Sequence, residues 1–83
     1  MPVLESTNPI ADEIAELLAS NPTPEQILSF HPSEELLAKA RELLAKSNAG
    51  TLSAEDVHEL QQFQNAELLM RLVKARLRRL QDL

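Results

Sequence analysis

Apolar residues recur along this chain at helical spacing in four blocks, and each block opens on a residue suited to capping a helix. Ile10, Ile14, Leu17 and Leu18 stand at i, i+4, i+7 and i+8, with Asp12, Glu13 and Glu16 on the other side. Asn8 before Pro9 supplies an N-cap and a first-turn proline that has no N–H to leave unpaired, so a helix is predicted over about 9–20. Asn21-Pro22 ends it. Thr23-Pro24-Glu25-Gln26 repeats the device, with Gln26 placed to complete a capping box, and predicts a brief helix over about 24–30 carrying Ile27, Leu28 and Phe30. His31 precedes Pro32 and is thereby biased out of the helical region.

Ser33 caps a third block, about 34–48, with Leu36, Leu37, Ala40, Leu43 and Leu44 as its apolar stripe. Glu35/Lys39 and Glu42/Lys46 are spaced for i, i+4 ion pairs. The only glycine, Gly50, falls where a left-handed C-terminal cap is required, and Ser53-Ala54-Glu55-Asp56 reopens a helix. With neither Pro nor Gly beyond that point, the last helix is expected to run over about 54–81. The fold class is therefore all-α: two short N-terminal helices and a helical hairpin, 34–48 and 54–81, turning at Gly50.

The last helix has an unusual pattern. At about 100° per residue, Val57, Leu60, Gln64 and Leu68 share one side, whereas Leu69, Val73, Leu77 and Leu80 share a nearly opposite one, as if the apolar face changed halfway. So wide an apolar arc needs cover on two sides. Helix 3 can supply one; the other falls either to helices 1 and 2 folding back or to another protein chain. The partner-binding residues expected on this basis are Leu68, Leu69, Leu72, Val73 and Leu77 as anchors, with Arg71 and Arg76 orienting the contact.

Composition narrows the function classes. Eighty-three residues, 43% of them hydrophobic, fit a single helical domain, 1–83, whose first eight residues are expected to be a flexible N-terminus. Two Phe and no Trp, Tyr or Cys leave an aliphatic core without disulfides or thiolate metal sites. The net charge of −5 argues against a sequence-independent nucleic-acid binder, yet it hides an asymmetry. Residues 1–65 carry three basic side chains against eleven acids, whereas 66–83 carry Arg71, Lys74, Arg76, Arg78 and Arg79 against Glu67 and Asp82. That basic end could touch RNA or DNA weakly, but no aromatic residue interleaves to stack on bases, and cations at a helix C-terminus already complement its dipole. Nucleic acid is accordingly the least favoured partner.

Catalysis has little support. His31 and His58 are the only imidazoles, there is no cysteine, and no nucleophile elbow, HExxH or phosphate-binding glycine loop occurs. Glu55 and His58 match a Glu-x-x-His ligand spacing, but the other helices offer no matching inward-facing glutamates. No enzyme activity, cofactor or metal is expected. No export signal or apolar stretch of membrane-spanning length is found, so a cytoplasmic location is expected, with no membrane partner.

Four segments carry a resemblance: Asn21-Pro22-Thr23-Pro24-Glu25-Gln26-Ile27-Leu28-Ser29-Phe30, Pro32-Ser33-Glu34-Glu35, Ala49-Gly50-Thr51-Leu52-Ser53-Ala54-Glu55-Asp56 and Leu68-Leu69-Met70-Arg71-Leu72-Val73-Lys74-Ala75-Arg76. Over about 21–76 the chain resembles a group of short, acidic, helical and mostly uncharacterised bacterial proteins, common in cyanobacteria and often encoded beside predicted nucleases such as HNH-type enzymes. The resemblance implies an antitoxin-like inhibitor or accessory subunit of a nuclease, and carries no functional residue with it. The leading expectation is thus a helical module that docks another protein. The alternative is a structural homo-oligomer, such as a homodimer, pairing through the long helix.

Overall fold

In the computed structural model, which describes residues 8–82, four helices follow one another with no strand among the described residues. They are α1 (Pro9–Ala19), α2 (Pro24–Leu28), α3 (Glu34–Ala49) and α4 (Ala54–Gln81). The expected flexible stretch 1–8 lies, except for Asn8, outside the described residues.

Each helix starts as its capping residues dictate. The Asn8 side chain accepts from the Ala11 N–H at 3.2 Å, and Ser33 Oγ accepts from the Leu36 N–H at 3.3 Å. Thr23 and Gln26 close a reciprocal capping box: the Thr23 N–H donates to Gln26 Oε1 at 2.9 Å, and the Gln26 N–H to Thr23 Oγ1 at 3.2 Å. Ser53 and Asp56 form a second one, at 3.1 and 3.0 Å, with an aspartate in the place of the longer acid.

Helix ends are equally local in origin. Asn21 takes φ 56°, a left-handed conformation that Asn tolerates better than most residues, and Pro22 follows. Gly50, at φ 71°, ends α3, and the Thr51 N–H reaches back to the Lys46 carbonyl at 2.9 Å. Only α2 is clearly shorter than its sequence suggests. It stops at Leu28 because the Ser29 hydroxyl and the N–H groups of Ser29 and Phe30 turn back onto its last carbonyls.

The helices α1, α2 and α3 all pack against α4. The buried core is small: Ile10 and Ile14 from α1, Ala40 and Leu43 from α3, Phe63 and Met70 from α4. Leu17, Ile27, Phe30, Leu36, Leu37 and Ala66 pack around it, half-buried. Along α4 the inward side chains are Glu59, Phe63, Ala66, Met70, Val73 and Leu77, alternating steps of four and three. This is one straight seam. The apolar face expected to switch sides halfway does not do so, because Phe63 and Met70 carry the burial and the flanking leucines fall outside it.

Polar contacts fasten α3 to α4. Lys46 Nζ lies 3.5 Å from both Glu42 and Asp56, and Lys39 lies 3.6 Å from Glu59. The Glu35/Lys39 pair expected within α3 is thus replaced by a bridge between helices. Asp56 is held below the ordinary carboxylate range, foremost by the Ser53 N–H and then by the Ser53 hydroxyl and the Lys46 charge, with partial desolvation opposing. Lys46 is raised above its ordinary value, foremost by the charge of Asp56.

Two further bonds tie distant segments. The Ser33 N–H donates to Glu13 Oε1 at 2.8 Å, anchoring α1 to the start of α3. Lys74 Nζ, half-buried on α4, donates to the Phe30 carbonyl at 2.7 Å and holds the segment after α2 down.

Truncating Phe63→Ala should lower the free energy of unfolding by about 3 kcal/mol in urea titrations, while Leu72→Ala on the opposite side should change it by less than about 0.5 kcal/mol. Equal losses would contradict the assignment of the inner seam. Since the folded pKa of Asp56 is depressed, its contribution is complete above about pH 4 and is lost as pH falls through the lowered folded value. Asp56→Asn should therefore flatten the acid limb of the stability profile, measured by thermal melts between neutral and acid pH.

Candidate interaction surface

The outer side of α4 is built by the same periodicity that builds the inner seam. With Phe63 and Met70 directed into the core, a rotation of about 100° per residue carries Leu68 and Leu72 to the opposite side and Leu69 to the flank facing α1. These three leucines are 52%, 48% and 55% exposed. Two successive turns of one helix therefore present three large aliphatic side chains to solvent. A scattered exposed leucine is ordinary, but a contiguous set is characteristic of interaction sites.

Across from Leu69, α1 contributes to the same surface. Ala11, Ile14, Ala15 and Leu18 of α1 and Gln62, Asn65, Ala66 and Leu69 of α4 line a shallow groove between the two helices. Leu18 is 53% exposed at its rim. Small alanines on α1 let the helices approach and leave the groove apolar, while the polar Gln62 and Asn65 mark one end of it. The leucine triplet and the groove thus form one continuous face, most of it aliphatic.

Of the seven residues expected to bind a partner, the structure leaves Leu68, Leu69, Leu72, Arg71 and Arg76 exposed, whereas Val73 and Leu77 are half-buried on the side of Met70. Val73 and Leu77 belong to the inner seam by position, so their side chains are in part already satisfied within the chain. Helices α1 and α2 do fold back onto α4, as one of the two sequence expectations required, yet they leave Leu68, Leu69 and Leu72 about half exposed.

The arginines divide between two sides of α4. Arg71 and Arg78 line a pocket with Phe30, Pro32, Met70 and Lys74, and Lys74 donates to the Phe30 carbonyl. Arg71, Lys74 and Arg78, which share one face at i, i+3 and i+7, are therefore not a row of three free cations. Glu67 and Arg71, spaced for an ion pair, do not reach one another within ion-pair distance. Arg76 lies on the other flank, beside the leucine face.

Periodicity placed Leu18 on the apolar side of α1 with Leu17 and did not mark it as a surface residue. Only the crossing point of α1 on α4 decides that Leu17 is half-buried and Leu18 exposed. Lys74 counts in the sequence only as part of the basic C-terminal end; its acceptor is 44 residues away, and no local signal announces it.

Among the described residues no group of three or more His, Cys, Asp or Glu is gathered as a metal-binding cluster, and no helix is long and apolar enough to cross a membrane. Glu59, adjacent in sequence to His58, is directed to Lys39 instead, and His58 Nε2 lies 3.0 Å from the Gln62 amide. Set beside known protein families, curated proteins and solved structures, the chain finds no match in any of the three comparisons.

Proposed function

We propose that this chain is a non-enzymatic helical interaction module that docks another protein chain through the outer face of α4. The observation that carries the reading is the half exposure of Leu68, Leu69 and Leu72 on a helix whose opposite side holds the whole core together. Burying one such side chain is worth roughly 1.5–3 kcal/mol when fully covered, so three of them form a small but sufficient set of anchors. Exposed Arg71 and Arg76 flank the patch and would orient a partner by charge.

A second reading draws on the N-terminal half. From Asp12 to Glu35 the described chain carries six acids and neither Lys nor Arg, the first cation being Lys39. A surface so uniformly negative suits a basic partner, including the nucleic-acid groove of a nuclease, which is the antitoxin-like role that the sequence resemblance implies. In that role the chain would associate rapidly at low salt and slow steeply as salt rises.

A photo-crosslinking residue placed at Leu68, Leu69 or Leu72 of the full chain, in cells that make it, should give one discrete protein adduct. The same residue at the exposed Glu34 should give that adduct only under the acidic-face reading. Absence of any adduct at the three leucines would sink the proposal, and the mass of the adduct reports whether the captured chain is a second protein or another copy.

A further inference from the structure

We propose that the outer face of α4 is closed by a second copy of this chain, the two α4 helices packing antiparallel about a two-fold axis near Leu69 and Leu72. The inference rests on the reading of that face as a docking surface and names its occupant.

Register supplies the first argument. Gln61, Asn65, Leu68, Leu72, Ala75 and Arg79 follow one another at alternating steps of four and three, the spacing by which one helix presents a straight ridge to another. This outer ridge lies on the opposite side of α4 from the inner one. Its apolar part is short and central, bounded by Gln61 and Asn65 toward one end and by Arg79 toward the other. A two-fold partner can cover Leu68, Leu69, Leu72 and Ala75 with the same four residues of its own and leave the polar ends solvated.

Charge supplies the second argument and fixes the direction. Arg76 and Arg79 are exposed on the C-terminal side of the leucines. On the N-terminal side, α1 lies along α4 between Gln62 and Leu69 and carries exposed Asp12 and Glu16. Among the described residues none of these four charges has an ion-pair partner within its own chain. An antiparallel crossing near Leu69 and Leu72 brings Arg76 and Arg79 over the second copy's α4 ahead of its leucines, the stretch along which its α1, acidic and without a cation, packs. The reciprocal pair forms at the other end by symmetry. A parallel arrangement would instead set arginine against arginine. The face is thus complementary to itself, as an isologous interface must be.

The test is sedimentation equilibrium on the purified full chain from micromolar to millimolar concentration. The wild type should pass from monomer to dimer and no further. Leu72→Asp should weaken dimerisation by about a hundredfold or more while helical circular dichroism is kept, and Leu68→Gln, on the same ridge, should act in the same direction. Arg76→Glu alone, or Asp12→Lys with Glu16→Lys, should each weaken it by about fivefold, and the three together should regain most of the loss. A monomer at every concentration, a dimer indifferent to Leu72→Asp, or charge reversals that merely accumulate would each overturn the proposal. A monomer whose position 68 still crosslinks to a different protein would remove the second copy and leave the interaction module standing; a monomer with no adduct would remove both.

Discussion

Three helices compete for one arc of α4. A helix presents roughly a third of its circumference to any packed neighbour, and α1, α2 and α3 all draw on the side that carries Phe63, Ala66 and Met70. They share it by length rather than by angle: α3 meets the N-terminal turns through the hairpin, α1 crosses the middle, and α2 with Phe30 reaches the C-terminal half, where Lys74 donates to the Phe30 carbonyl. This arrangement spends all three neighbours on a single side. The remaining side of α4, which is also rich in leucine, has nothing left among the described residues to cover it.

The result is a thin body, 18 Å in its smallest extent, or about two helices deep. Only six hydrophobic residues among those described are buried, fewer than the seven large aliphatics that stay exposed. A core of this size leaves a small margin of stability, which explains why so much of the architecture is secured by end groups. Every helix begins on a capping side chain, and α3 and α4 are pinned by Lys39 and Lys46 across the hairpin. Each such contact is modest alone, yet in a small domain whose net stability is itself small their combined effect counts.

Most of the helix boundaries could be read from the sequence because they depend on neighbours within four residues. Asn8-Pro9, Thr23-Pro24, Ser33, Gly50 and Ser53 act on their own turns, and the structure places the helix ends beside them. The angular assignment of α4 could not be read in the same way. Leu68, Leu69, Met70, Leu72 and Val73 are nearly equivalent in hydropathy, so periodicity cannot say which of them faces inward; the choice is made by Phe63 and Met70 fitting against Ile10, Ile14 and Ala40. For the same reason Leu68, Leu69 and Leu72 emerged as an exposed set while Val73 and Leu77 moved to the inner seam. Charge pairing was readable only where it is local: Glu42/Lys46 forms, whereas Lys39 finds Glu59 and Lys74 finds a carbonyl, both through the fold.

The turn at Gly50 has a consequence for the order in which the chain assembles. Only Gly50 to Ser53 separate α3 from α4, and the backbone groups at this junction are met by residues of the junction itself: Thr51 on Lys46, Ser53 and Asp56 on each other. Closing so short a connection costs little chain entropy, so the hairpin can form as a local event and present a ready template. Helices α1 and α2 depend on longer closures, α1 fastened to α3 where the Ser33 N–H donates to Glu13 and the segment after α2 held where Lys74 donates to the Phe30 carbonyl. A nascent hairpin that has not yet received them exposes both sides of α4 at once, and the moment of α1 docking is when the two sides become chemically distinct.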